Sequence, residues 1–284
     1  MRIVAFSIGG LPSLGIREGE ELIDLTASGL PASLRDFLSA GPSAFEAAEK
    51  ARHRSKERHT LANVIHRSPL DDPDKALAVG LNYRDHASES KFAAPDYPVL
   101  FHRFPSSWVA HRQPLVRPAI STQFDYEGEL AIVIGKPGHR IKREAALNHV
   151  AGYSIFNDGS IRDYQFKSAQ WMMGKNFDKT GSFGPEFVTA DELPAGAAGL
   201  RLTTRLNGVT LQDANTRDMI FDVATLVSVC SDAMALTTGD LIISGTPAGV
   251  GFARQPQVFM KAGDICDVQI EGIGVLSNPV TDEV

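Results

Sequence analysis

Residues 124–136 read FDYEGELAIVIGK, and the two halves of this stretch pull in different directions. The second half, LAIVIG, is a β-branched apolar run of the kind that fills a buried strand. The first half sets Asp125, Glu127 and Glu129 at alternate positions, so in one continuous strand all three carboxylates share a face. One reading is a solvated edge strand whose dry face carries Phe124, Tyr126, Leu130, Ile132 and Ile134. The other is a cation site. Neighbours at i and i+2 stand roughly 6.5–7 Å apart along a strand, and two like charges there repel by about 2.5 kcal/mol at an effective dielectric of 20. A hard divalent cation, which prefers carboxylate and water oxygens, reverses that repulsion.

The surrounding chain bounds the choice. It has 284 residues, 43% of them hydrophobic and 22% charged, an ordinary globular composition with ample material for a core. A net charge of −6 without a basic block argues against a nucleic-acid partner. MRIVAFSIGGLPSLG is interrupted by Gly9 and Gly10, too early for a signal peptide, and no apolar run has the length of a membrane span. Cys230 and Cys266 lie far apart with no C-x-x-C pattern, which suggests a reducing, cytoplasmic setting.

Outward from the opening stretch, the pattern is mostly strands. RIVAFSI, LGI and ELIDL read as short strands near the N-terminus, and ALAVGLNY, VAGYSIFND, LRLTTRLNG, DLIISGT, DICDVQIEG and GVLSNPV continue the theme. Helices are expected in ASLRDFLSA, in AFEAAEKARH, at 142–149 and at 220–235. The polar stretch HRSPLDDPDK, with its two prolines, marks a seam between a small α+β domain (1–70) and a larger one (71–284). Strands in quantity with few helices predict a predominantly β, α+β chain.

Several familiar sites are missing. No G-x-S-x-G elbow occurs, Ala169 stands where a phosphate loop needs glycine, and Gly272 and Gly274 lack the third glycine of a dinucleotide fingerprint. The histidines form no H-x-H or H-x-x-x-H pair for zinc. What remains is a set of four segments. In GLNYRDHASES (80–90), His86 and Glu89 share a face if the segment is helical, an arrangement for a general base that also occurs as a plain surface pair. In GYSIFNDGSIRDYQF (152–166) an apolar strand ends at Asn157-Asp158; this either delivers a carboxylate to a mouth or opens a turn. WMMGKNFDKTGSFGP (171–185) places Lys175 before a glycine-rich loop, as a site residue or a solvated lysine. SGTPAGVG (244–251) allows close backbone approach to a ligand, or is only a tight connection.

Taken in order, GLNYRDHASE, DYEGELAIVIGK, GYSIFNDGSIRDYQ, GKNFD…GP and GTPAGVG resemble the fumarylacetoacetate hydrolase superfamily, in particular its short members acting on acylpyruvates and oxaloacetate. The resemblance spans some 170 residues from about Ala76 and is far looser over the first 70. It implies a mixed β-sandwich roll with a small N-terminal domain, usually a homodimer. It implies that Glu127, Glu129 and Asp158 hold Mg²⁺ or Mn²⁺, with Asp125 at most in support. It further implies a water-activating dyad of His86 and Glu89, charge stabilisation by Lys175, and substrate contacts from Arg162, Gln165 and Thr246. NDGSIRD departs from the usual N-D-V-T-A-R-D at Gly159 and Ile161, which bears on pocket shape. The expected reaction is metal-dependent C–C hydrolysis of an acylpyruvate, with a 2-oxo acid as the small-molecule partner. Oxaloacetate decarboxylation at the same site is the alternative, followed by hydration or isomerisation of unsaturated 2-oxo acids or a non-catalytic metal-binding scaffold. Arg103, Arg112 or Arg117, in or beside FPSSWVAHRQPLVRP, is a candidate for a second substrate carboxylate, against a reading as solvated loop arginines.

Overall fold

A computed structural model describes residues 1–55, 57–89 and 95–284, apart from the side chains of residues 86–88. The LAIVIG run lies in the strand Gly128–Ile134, which is buried over its whole length. It is the interior of a twelve-stranded sheet, flanked antiparallel by Val150–Asn157 on one side and Leu241–Ile243 on the other. Leu241–Ile243 pairs parallel with Ala76–Gly80, which pairs antiparallel with Val99–His102. On the far side, Gly181–Thr189 joins Val150–Asn157 to Arg2–Ile8, and Leu11–Glu18, Glu21–Asp24 and Arg58–Thr60 follow. The edge-strand reading therefore fails, because both backbone edges of Gly128–Ile134 are paired and both faces are dry.

The alternation of that strand sorts its side chains into two cores. Leu130, Ile132 and Ile134 point into a cluster shared with Leu202, Val268, Ile270 and Leu276 of a second, five-stranded sheet and with Leu226, Val227 and Cys230 of the helix Val223–Ala233. Ala131 and Val133 point the other way, against Phe156, Phe183, Phe187 and residues of the N-terminal strands and helices, among them Ile3, Leu14 and Phe37. The second sheet runs in the order Val209–Asn215, Arg201–Leu206, Ile265–Ile270, Gly274–Asp282, Leu115–Arg117. It approaches so closely at Gly128 that a Cβ there would lie 2.3 Å from the Thr204 hydroxyl oxygen and 2.8 Å from a Val268 methyl. The glycine in the middle of DYEGEL is thus a packing requirement.

The expected strands all appear, and the chain is mostly β. The helices at Leu34–Ser39, Pro42–Arg54 and Val223–Ala233 match the helical spacing, whereas Arg143–His149 is a 3₁₀ run rather than an α-helix. Several elements went unread, three of them between residues 162 and 189. Gly181–Thr189 is a nine-residue strand, buried throughout, disguised in sequence by Gly181, Gly184 and Pro185. Arg162–Gln165 and Met172–Lys175 are single helical turns, too short for periodicity to register. The opening stretch also differs from its expectation. It is two strands, Phe124–Asp125 and Gly128–Ile134, so the three carboxylates do not line one continuous face. Phe124–Asp125 pairs separately with Ser160–Ile161.

Two histidines meet where Ile65–His66 pairs with Arg2–Ile8. The rings of His66 and His111 stack edge to face with centroids 4.7 Å apart. His111 Nδ1 accepts the Ser277 N–H, and His66 Nδ1 is buried without a partner. Burial, with Arg112 and Arg17 nearby, pushes His66 down to about 4. Burial, His66 and the same arginines push His111 down to about 3. The folded state therefore takes up these protons later than the unfolded chain, whose histidines titrate near 6.5, and stability is lost as pH falls from about 6.5 towards 4. The melting temperature should drop over that window, and His66→Leu should make the drop shallower. An unchanged slope in that variant excludes His66 as a source.

Candidate active site

Glu127 lies in the break between the two strands of the opening stretch, and its N–H is donated to Asn157 Oδ1 at 3.0 Å. Glu129 is the second residue of Gly128–Ile134. Asp158 follows directly on the strand Val150–Asn157 and donates its own N–H to the Glu127 carbonyl at 2.8 Å. Because Gly128 pairs with Asn157 across the ladder, the three carboxyl groups converge. One oxygen from each lies within 4.8 Å of the others, and all three residues are at most 4% exposed. An all-oxygen donor set of this kind suits a hard divalent cation. Without one, burial and then the charges of Asp158 and Glu127 hold the Glu129 carboxyl well above the usual range, only partly opposed by Lys175 and the Gly245 N–H. The residues fit a cation.

Three cations answer the carboxylates. Lys175 ends the turn Met172–Lys175, is 2% exposed, and places Nζ 2.5 Å from Glu127 Oε2 and 2.6 Å from Asp158 Oδ2. It is not a solvated loop lysine. Arg162 Nε donates to Asp125 Oδ2 at 2.8 Å, Nη1 donates to Gln165 Oε1 at 2.8 Å, and Nη2 stands 2.7 Å from Glu127 Oε1. Burial works against the Arg162 charge, but Asp125 and Glu127 outweigh it and raise the guanidinium further. The third cation, Arg103, is fully buried. It pairs with Asp158 through Nη1 and also reaches the Gly159 carbonyl and Ser107. Neither sequence reading of Arg103 holds, since it is neither solvated nor free for a substrate. Arg117 pairs with Asp282, and Arg112 sits near the two histidines.

Asp125 turns away from the triad. It accepts the N–H groups of Gly251 and Phe252 and holds Arg162, whose guanidinium lies 4.6 Å from the Phe252 ring centroid. Thr246 donates to the Gly128 carbonyl at 3.1 Å and accepts from Gln212 Nε2 at 2.8 Å. Gln212 also takes the Gly128 N–H, so one buried amide ties the second sheet, the opening stretch and the 244–251 loop together. Asn82 does the same for the 80–90 segment, donating to the Ser244 and Phe221 carbonyls and accepting the Phe221 N–H. Glu89 closes the helix Arg84–Glu89, and its Oε2 accepts the Gly249 N–H at 2.9 Å. The His86 side chain lies outside the described residues. Glu127, Glu129, Asp158, Arg162, Gln165, Lys175 and Thr246 all border one space of about 20 Å³, which apolar residues such as Phe101, Trp171 and Phe252 also line. That is about room for one water or one ion.

The same chain can be placed among known proteins. The fumarylacetoacetate hydrolase C-terminal family matches residues 75–281, and the chain belongs to that family. The mitochondrial oxaloacetate tautomerases of Xenopus laevis and Homo sapiens are each 38% identical to it over 288 aligned residues, covering 99% of this chain and 90% and 91% of theirs. The solved fumarylacetoacetate hydrolase of Exiguobacterium antarcticum superposes with a TM-score of 0.88 at 37% identity, with full coverage of both chains. A maleylpyruvate hydrolase from Sphingobium, in complex with manganese(II) and pyruvate, superposes with a TM-score of 0.85 at 28% identity, again over both whole chains. The fold is that of the family, and the protein is an enzyme. The cytoplasmic expectation does not stand, because these curated relatives are named as mitochondrial. Two buried, unpaired cysteines do not distinguish one compartment from another.

Arg103→Met leaves the Asp158 carboxylate with one buried counter-charge fewer. Removing one partner of a buried pair typically costs about 3–5 kcal/mol, so denaturant unfolding of this variant should show a loss of that order. A loss below about 1 kcal/mol would mean that Lys175 alone balances Asp158.

Proposed function

We propose that the enzyme stabilises the enolate form of a 2-oxo acid at this site, and that its reaction is the enol–keto interconversion of oxaloacetate. The observation that carries the reading is the convergence of Glu127, Glu129 and Asp158 with Lys175 and Arg162 around one space. The names of the full-length relatives support the choice of substrate. A divalent cation held by the three carboxylates, Mg²⁺ in this proposal, supplies Lewis-acid stabilisation of negative charge on substrate oxygens.

The remaining chemistry belongs to the chain's own groups. Tautomerisation removes the proton from the enol hydroxyl on C2 and delivers one to C3, with no change in the carbon skeleton and no redox step. Lys175 and Arg162 face the oxygen on which negative charge develops; such preorganised donors are typically worth ~3–4 kcal/mol each. Thr246 and Gln165 orient the substrate carboxylate. In this reading His86 moves the proton, and Glu89, at the end of the same helix, accepts the Gly249 N–H. The apolar residues of the lining, Phe101, Trp171 and Phe252, lower the local dielectric, which strengthens each of these interactions.

The second reading is metal-dependent C–C hydrolysis of an acylpyruvate, in which His86 and Glu89 take a proton from water. The Glu89–Gly249 hydrogen bond favours it, because it draws the dyad segment against the loop that carries Thr246. Oxaloacetate decarboxylation uses the same charge stabilisation. A homodimeric assembly belongs to this proposal as well.

Metal-stripped protein given oxaloacetate and, separately, an acylpyruvate, each with and without Mg²⁺ and followed by enol absorbance and by pyruvate release, separates these reactions. Mg²⁺-dependent loss of enol absorbance without pyruvate is the expected result. Pyruvate from oxaloacetate makes the enzyme a decarboxylase, and pyruvate from an acylpyruvate a hydrolase. Glu127→Gln should lower Mn²⁺ affinity, measured by titration calorimetry, on the order of 10–100-fold or more. Unaltered affinity removes Glu127 from the ligand set.

A further inference from the structure

We propose that Trp171, seated on Gly80, sets the size of the group that a substrate carries beyond its 2-oxo acid end. The inference rests on the 2-oxo acid reading above and adds a determinant of selectivity to it. The space is lined by charged residues and by apolar ones, Phe101, Trp171 and Phe252 among them, and the apolar part of that lining is what the remainder of a substrate meets. There the indole of Trp171 stands edge to face on Phe101, with centroids 5.9 Å apart and planes at 66°. The Phe101 ring centroid is in turn 5.2 Å from Lys175 Nζ. The indole is therefore one ring removed from the charge-stabilising ammonium.

Gly80 explains how the indole comes so near. It ends the buried strand Ala76–Gly80, and a Cβ there would lie 2.1 Å from Cζ3 and 2.9 Å from Cη2 of Trp171. Its backbone is not in the left-handed region, so conformation does not demand glycine at this position. The indole does. With Trp171 in place the space is about 20 Å³, about room for one water. The indole is one of the apolar groups that have to give way to a longer substrate. Trp171 is only half-buried and follows an exposed turn at 167–170, so truncating it opens the apolar lining without emptying a core position.

The test measures binding of straight-chain 2-oxo acids of increasing length (pyruvate, 2-oxobutyrate, 2-oxohexanoate) by calorimetry in the presence of Mg²⁺. Wild-type protein should favour the short acids. Trp171→Ala should raise the affinity ratio of the longest to the shortest by about tenfold or more, with Trp171→Phe between the two. Gly80→Ala should weaken binding of every acid by driving the indole inward, and the double variant with Trp171→Ala should recover it. A length profile unchanged by Trp171→Ala overturns the proposal. So does a Gly80→Ala defect that persists when the indole is gone. If the wild type turns over neither oxaloacetate nor an acylpyruvate yet the profile shifts as described, the proposed reaction fails while Trp171 keeps its role. Failure of both proteins to bind any of the acids overturns both.

Discussion

Four carboxylates, Asp125, Glu127, Glu129 and Asp158, are buried at the centre of this protein, and much of the surrounding structure answers their charge. Isolated buried carboxylates are too costly to keep ionised. Arg103, Arg162 and Lys175 supply three counter-charges, each side chain at most 2% exposed, leaving the group one negative charge short of neutral if all are ionised. A divalent cation held there would turn that deficit into one positive charge, the sign that would attract an anionic substrate. Burial first, and then this imbalance, raises the Glu129 carboxyl. Buried ion pairs contribute little net stability relative to apolar packing. Their concentration here is better understood as preorganised electrostatics, aligned before a substrate arrives.

Much of the site was legible in sequence because its residues sit in short, ordered motifs. Glu127, Glu129, Asp158, Lys175, Arg162, Gln165 and Thr246 come together around one space. Spacing alone misjudged how. The alternation of Asp125, Glu127 and Glu129 suggested one strand face, but the chain breaks after Asp125, and Asp125 serves Arg162 and the 251–252 backbone instead. Arg103 looked like a loop arginine because nothing local marks burial; its partner is 55 residues away. Gln212 carries no signal at all, being the one buried side chain in a strand that is otherwise exposed or half-exposed. Such residues acquire their roles from strand pairing, which a linear pattern does not contain.

The fold's contribution is to make the break in the opening stretch tolerable. Residues 126 and 127 leave the ladder, yet Asn157 Oδ1, the Asp125 carboxylate and Gln212 Oε1 take up the N–H groups of Glu127, Tyr126 and Gly128. Each of these donors would be a substantial penalty if buried unpaired. The second sheet is part of that solution, since Gln212 belongs to it and Thr204 and Val268 press on Gly128. The five-stranded sheet thus supports the site without lending a side chain to its charged wall.

The parallel pairing of Leu241–Ile243 with Ala76–Gly80 bears on how the chain reaches this state. Gly128–Ile134 and Val150–Asn157 are close in sequence and can form a hairpin early. The other edge of Gly128–Ile134 must wait for Leu241–Ile243, more than a hundred residues later. Until then an apolar strand with unpaired N–H and C=O groups stands open, the condition under which chains associate with one another instead of folding. Long-range pairings of this kind are also slow to form. The order in which the strands emerge during synthesis therefore leaves the most hydrophobic part of the molecule, the strand that carries Glu129, among the last to be enclosed.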